Sequence, residues 1–181
     1  MRPSIYVDES KGRPFLLVAA IVTPQQHSLA TRTLRGLLMR GQHRVHMSKE
    51  KDRRRRHIAS TLLRLGVTCE IFESDFKSDL DARAHCLLQL ANRAVALKAQ
   101  AIHIERDDSA IEFDRKQLQS VLSSTNLEYR HLRGRDDPLL WIADAVAWCW
   151  QRGGIWRHQI QPIVSQVHTH RLTAASIHGP D

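Results

Sequence analysis

The stretch that decides the fold is SIYVDESKGRPFLLVAAIV, residues 4–22. A short apolar run, Ile5–Val7, leads into Asp8-Glu9-Ser10, and a Lys-Gly-Arg-Pro turn separates it from a second apolar run, Phe15–Val22. Apolar runs of this length beside turn residues predict β-strands, and so tight a connection requires antiparallel pairing. The segment therefore predicts two paired strands, with acidic residues at the end of the first.

The remainder of the chain alternates between helical and strand-like patterns. Helices are predicted from Pro24 to about Met39, from an N-cap at Ser48 to Leu65, and over 79–97, 109–122 and 137–150. Strands are predicted over 67–72, 101–104 and 127–132. Strands interleaved with helices indicate an α/β domain with a mixed five-stranded sheet and flanking helices.

The length of 181 residues fits one domain of ordinary size. We expect this domain to occupy residues 1–163. Residues 164–181 are rich in His, Ser and Thr and show no usable periodicity, so we expect a flexible C-terminal tail.

Charge and composition narrow the partners. The formal net charge of +8 predicts attraction to polyanions, and nucleic acid, RNA or DNA, is the leading candidate. No apolar run is long enough to span a bilayer, so no membrane partner is expected. The chain enters its first strand without a signal-peptide pattern, which favours a cytoplasmic protein.

Asp144 is the most informative single residue. It is the only charged side chain between Asp137 and Arg152, in a helix that is otherwise almost wholly apolar. Burying an unpaired carboxylate costs several kcal/mol. A metal ion, an arginine or solvent in a cleft must therefore compensate it.

Asp8 and Glu105 follow the same logic at strand ends. Strict alternation puts Tyr6 and Asp8 on one face of the first strand and Glu9 on the other, and we expect Asp8 to face the helix of Asp144. Three carboxylates from two strand ends and one late helix suit Mg²⁺ or Mn²⁺ and phosphodiester hydrolysis. Taken singly, strand-end acids are often only turn or cap residues.

Two segments carry a resemblance to a known family. IYVDES and PLLWIADAVAWCW resemble the opening strand and closing helix of bacterial and phage proteins of the domain of unknown function 3800 family, whose fold is ribonuclease-H-like. The matching positions are Asp8, Glu9, Ser10, Ala143 and Asp144. This chain departs from the family at Lys11-Gly12, where the family usually has Gly directly after the Ser.

The resemblance implies a metal-dependent nuclease site in which Asp8, an acid after the central strand, and Asp144 bind the metals. The middle acid is open: Glu105 fits the strand end best, but Asp107 and Asp108 are close enough to replace it. A His and a Lys before the third strand also recur in the family, and here His46 and Lys49 are the loose matches. His46 is a candidate general acid or base.

A basic run forms the second candidate surface. Lys49, Arg53, Arg54, Arg55 and Arg56 are candidates for binding the substrate backbone, although a solvated helix face is an equally good interpretation. Trp150 and Trp156 are candidates for an interface, so a homodimer is possible.

The leading hypothesis is a Mg²⁺- or Mn²⁺-dependent nuclease with Asp8, Glu105 and Asp144 as metal ligands. The alternative is a catalytically silent protein that binds nucleic acid or a partner on a ribonuclease-H-like scaffold. A third possibility is a phosphatase or nucleotide hydrolase. The sequence has no Walker-type phosphate loop, which counts against an ATPase.

Overall fold

The opening segment forms the predicted strand pair in the computed structural model, which describes residues 2–170. Strand β1 spans Ser4–Ser10 and pairs antiparallel with β2, Phe15–Val22. The other strands are β3 Thr68–Ser74, β4 Ala101–Glu105, β5 Glu128–Leu132 and β6 Val164–His170. They form one six-stranded sheet in the order β5-β4-β1-β2-β3-β6, in which β2 alone runs antiparallel to its neighbours.

Six α-helices connect and cover the strands. They are α1 Pro24–Arg35, α2 Asp52–Leu62, α3 Asp79–Ala96, α4 Ile111–Leu122, α5 Leu140–Arg152 and α6 Gly154–Ile160. Short 3₁₀ helices span Met47–Lys49 and Gln161–Ile163. Within the described residues, no helix combines the length and apolar character needed to cross a bilayer.

The strand alternation divides the core between the two faces of the sheet. On one face Tyr6, Leu16 and Val18 pack in a cluster with α5, and on the other Val7 and Leu17 pack in a cluster with α3. Helix α5 lies against both β1 and β2. The face of each strand-end residue is therefore set by register, with Asp8 toward α5 and Glu9 toward α3.

The prediction of a five-stranded sheet followed by a tail at residue 164 was wrong in one respect. Residues 164–170 form β6, parallel to β3. Its attachment is polar, because His168 binds Glu70 at 2.8 Å and stacks on Phe72 with ring centroids 4.5 Å apart. A polar strand at a sheet edge has no hydrophobic period to reveal it. Residues 171–181 of the expected tail lie outside the described residues.

The predicted helix start at Ser48 was also wrong. The 3₁₀ turn at Met47–Lys49 comes first, Lys51 is extended (φ −84°, ψ 157°), and α2 begins at Asp52. Met47 is fully buried, and Arg55 from α2 reaches back to the carbonyl oxygens of Met47 at 2.9 Å and Ser48 at 3.1 Å. Anchoring Met47 in the core thus keeps this segment out of the helix.

Candidate active site

Two acidic residues are brought side by side by the pairing of β1 with β4. The parallel register runs to Val7 opposite Ile104, and Asp8 and Glu105 are the next residues along these two adjacent strands. Asp144 approaches from α5, and all three carboxylates line one cleft of about 430 Å³. The structure therefore brings together the three acids that the sequence singles out, while their role as metal ligands stays a prediction.

Asp144 is compensated by the segment that precedes α2. Its side chain is 8% exposed, Oδ1 lies 2.9 Å from Nδ1 of His46, and Oδ2 accepts a hydrogen bond of 2.8 Å from the backbone N–H of Met47. The other ring nitrogen of His46 lies 3.0 Å from the hydroxyl of Ser48. The compensation that a buried carboxylate requires thus comes from a histidine and a backbone amide.

Glu105 is held by an arginine that the sequence analysis missed. Both carboxylate oxygens face the guanidinium of Arg44, with Nη2 at 3.3 Å from Oε2 and Nη1 closer to Oε1. Arg44 packs over Gly134, where an added Cβ would lie 2.7 Å from the guanidinium carbon. Arg44 lies in an irregular segment, 61 residues before Glu105 of β4, so no local pattern could have found the pair.

Asp8 has the most unfavourable surroundings of the three. Burial raises its pKa well above the ordinary value, and the neighbouring charges of Glu105 and Asp144 raise it further, whereas Arg44 acts in the opposite direction. A hydrogen bond of 2.7 Å from the backbone N–H of Glu9 supports Oδ1. The cleft thus concentrates negative potential at Asp8.

The two alternative middle acids have partners of their own. Asp107 accepts from the N–H and hydroxyl of Ser109 at 3.0 and 2.6 Å and from Lys11 at 2.9 Å, and these bonds hold its pKa below the ordinary range. Asp108 pairs with Arg106 at 2.5 Å and is largely exposed. Both line the cleft, but it is Glu105 whose charge acts on Asp8.

Glu9 points to the other face of the sheet, as the alternation predicts. It pairs with Arg83 of α3, which also binds Asp114 of α4 at 2.6 and 2.7 Å. His131 of β5 completes this buried cluster at 2.9 Å from Asp114. The cluster ties α3 and α4 to the end of β1 beneath the cleft.

The basic run is divided between internal and exposed side chains. Arg54 reaches the carbonyl of Leu37, and Arg55 caps the 3₁₀ turn and lies 4.4 Å from the ring centroid of Trp148. Lys49, Arg53 and Arg56 are exposed. Arg44 and Arg106, rather than this run, are the basic residues that line the cleft.

The aromatic residues suggested for an interface are mostly covered by the chain itself. Trp150 and Trp156 are 8% and 7% exposed, and Trp150 lies under the guanidinium of Arg157 at 4.6 Å. A homodimer stays a prediction.

A divalent cation can be tested against the donors that are present. Carboxylate oxygens are the ligands that Mg²⁺ and Mn²⁺ prefer, and the crowding of charge around Asp8 favours a cation. However, no three His, Cys, Asp or Glu side chains in residues 2–170 are already gathered as a ligand set. The donor chemistry fits, and Arg44 supplies the positive charge in the present arrangement.

The comparisons with known proteins show the fold class of this chain but not its family. No protein-family model and no curated protein matches the chain, so membership of the domain of unknown function 3800 family stays a prediction. The chain has a ribonuclease-H-like α/β fold, which confirms the predicted fold class.

One solved structure that supports this assignment is that of the PCNA:RNase HII complex from Archaeoglobus fulgidus. The TM-score is 0.58 and the sequence identity 16%, over 88% of this chain and 77% of that chain. At this identity the likeness shows the fold alone.

Proposed function

We propose that this protein is a Mg²⁺- or Mn²⁺-dependent nuclease that hydrolyses phosphodiester bonds of nucleic acid. The observation that carries the proposal is the meeting of Asp8, Glu105 and Asp144 in one cleft on a ribonuclease-H-like fold. Buried carboxylates that repel one another are costly to stability, and such arrangements concentrate at functional sites.

The three carboxylates are the proposed metal ligands, and a cation held there would activate water and stabilise the leaving oxygen. His46 is oriented by Asp144 through Nδ1, 2.9 Å from Oδ1. Its other nitrogen stays toward Ser48 and the half-exposed side of the ring. His46 can therefore accept or donate a proton at Nε2, in the role of general base or acid.

Arg44 has a second role in this proposal. Its guanidinium faces the cleft with 30% of the side chain exposed, and arginine matches phosphate as well as carboxylate geometry. It neutralises Glu105 in the free protein and can turn to a phosphate when substrate enters. The exposed Lys49, Arg53 and Arg56 and the net charge of +8 supply further attraction to the backbone.

One observation favours the alternative, a nucleic-acid- or partner-binding protein without turnover. The pairing of Arg44 with Glu105 already supplies a positive charge where a cation would sit. If that pair never opens, the cleft binds no metal and the scaffold acts through its basic surface alone.

The test uses purified full-length protein with end-labelled single-stranded, duplex, RNA–DNA hybrid and branched substrates. Each is incubated with Mg²⁺, Mn²⁺ or a chelator. We expect cleavage that the chelator abolishes and that Asp8→Asn and Asp144→Asn reduce by at least about 100-fold. Asp81→Asn, an exposed residue of α3, is the matched control and should cleave normally.

Absence of cleavage by folded wild-type protein with every substrate and metal would overturn the nuclease proposal in favour of the binding protein. Cleavage that persists in the chelator, or equally in Asp144→Asn, would exclude this cleft as its source.

A further inference from the structure

A second cleft of about 370 Å³ adjoins the acidic one. It is lined by Arg44, Glu105, Arg106, Arg133, Gly134 and Arg135, and is called the basic cleft below. Arg44, Glu105 and Arg106 line both openings. An extended ligand that fills the acidic cleft can therefore continue into the basic cleft.

The sheet fixes two of these arginines beside each other. β4 and β5 are parallel, with Glu105 opposite Leu132, and the backbone N–H of Arg106 donates to the carbonyl of Leu132 at 2.8 Å. Arg106 and Arg133 are the next residues after each strand, so both emerge at the same end of the sheet.

Gly134 brings Arg44 into the same place. The guanidinium of Arg44 lies so close to this glycine that a Cβ there would be 2.7 Å from the guanidinium carbon. Any side chain at 134 would push Arg44 away, so the glycine allows a third guanidinium to join Arg133 and Arg106.

The charges in the basic cleft do not balance. Four guanidinium groups face one carboxylate, Glu105, from within the lining. Arg106 and Arg135 pair at the rim with Asp108 at 2.5 Å and Asp136 at 3.7 Å, and exposed pairs of this kind contribute little. The side chain of Arg133 has neither an ion pair nor a hydrogen bond within residues 2–170.

We propose that the basic cleft binds a phosphate group of a nucleic-acid strand, adjacent to the phosphate that enters the acidic cleft. The identity of the ligand rests on the proposed function. Clustered arginines bind phosphate through paired N–H donors in a planar fork. The basic cleft thus sets the position and direction of the strand, while the acidic cleft performs the chemistry.

The test measures binding without cleavage. Fluorescence anisotropy of a labelled single-stranded oligonucleotide is followed in chelator over a range of salt concentrations, for wild type, Arg133→Ala and Arg133→Lys. The matched control is Arg130→Ala, which removes the same charge from the middle of β5, where Arg130 pairs with Glu128 at 3.1 Å and lines a different cleft.

We expect Arg133→Ala to weaken binding about tenfold and to lower the salt slope by about 0.7, the change for one lost phosphate contact on a single strand. Arg133→Lys keeps the slope but recovers only part of the affinity, because lysine lacks the fork. Arg130→Ala should match wild type.

Equal losses in Arg133→Ala and Arg130→Ala, or no binding by wild type, would overturn the proposal. A mononucleotide 5′-phosphate is tested as a competitor beside the unlabelled oligonucleotide. If both displace the labelled oligonucleotide at the same concentration, the assignment of the ligand to a nucleic-acid strand is overturned. If Arg133→Ala loses binding as expected but wild type never cleaves, the basic cleft stands and only the nuclease proposal falls.

Discussion

Asp114 and Asp8 are two carboxylates held in the same fold under opposite conditions. Asp114 is fully buried on α4, and although burial works against its ionisation, the hydrogen bonds from Arg83 and His131 lower its pKa below the ordinary value. Asp8 lies beside two other carboxylates, and both its burial and those neighbours raise its pKa.

The difference separates a carboxylate whose charge the fold compensates from one whose charge it leaves largely uncompensated. Arg83 and His131 together satisfy Asp114, so this cluster fastens α3 to α4 and gives the charge no other use. Asp8 receives a backbone N–H but little positive charge of its own. Selection for stability alone would not keep a buried carboxylate beside two others. Proteins keep such unfavourable arrangements mainly where they bind ligands or react.

The largest expected effect comes from removing the arginine that compensates Asp114. Arg83→Ala leaves Asp114 and Glu9 without their shared cation and should lower the free energy of unfolding by about 3–5 kcal/mol. Urea denaturation followed by circular dichroism measures the loss. Arg115→Ala, an exposed arginine on the same helix as Asp114, is the control and should unfold like wild type. A loss no larger than in this control would show that Asp114 needs no partner.

The second effect concerns Arg44, whose positive charge acts on Asp8. Arg44→Ala removes the positive charge from Glu105, so Mn²⁺ should bind about tenfold more tightly, a gain of about 1.4 kcal/mol. Calorimetric titration of the nucleic-acid-free protein measures this affinity, with Arg130→Ala as the variant of equal net charge. Unchanged or weaker Mn²⁺ binding would mean that Arg44 and the metal do not compete.

The third effect tests the cost of Asp8 directly. Asp8→Asn removes its repulsion from Glu105 and Asp144 while an amide oxygen can still accept the N–H of Glu9. Stability should rise by about 1 kcal/mol. The midpoint of thermal unfolding, compared with Asp81→Asn, measures it. A variant clearly less stable than wild type would place Asp8 among the structural charges with Asp114.

The smallest effect is confined to acid. Because the pKa of Asp114 is lower in the folded than in the unfolded protein, its contribution to stability is complete above the unfolded value near 4 and is lost as pH falls through the folded value. Urea midpoints for wild type and Asp114→Asn should therefore converge over the range of pH below about 4. A gap that stays constant over this range would contradict the lowered pKa.

These contrasts also explain what the sequence could predict. The strand pair β1–β2 and the side of Asp8 follow from alternation, and the isolation of Asp144 in an apolar helix marks it as compensated. Such features are local and periodic. The fold class and the meeting of the three acids could therefore be anticipated from the chain alone.

The missed features depend on contacts between distant residues. The sequence analysis names His46 as a candidate, but not its contact with Asp144, which lies 98 residues away. Arg44 reaches Glu105 from an irregular segment. The polar strand β6 joins β3 through Glu70 and His168, again 98 residues apart. Four consecutive arginines look alike in the sequence, yet Arg54 and Arg55 are held internally. Only the folded chain distinguishes them.

The packing of α5 across β1 and β2 determines when the cleft can form during synthesis of the chain. Strand β1 is synthesised before α5, so Asp8 is present well before Asp144 completes the cleft. Pairings between such distant segments form late in folding. A nascent chain that does not yet extend to Trp150, near the end of α5, holds an unfinished cleft. Assembly of the site thus waits until α5 has been synthesised.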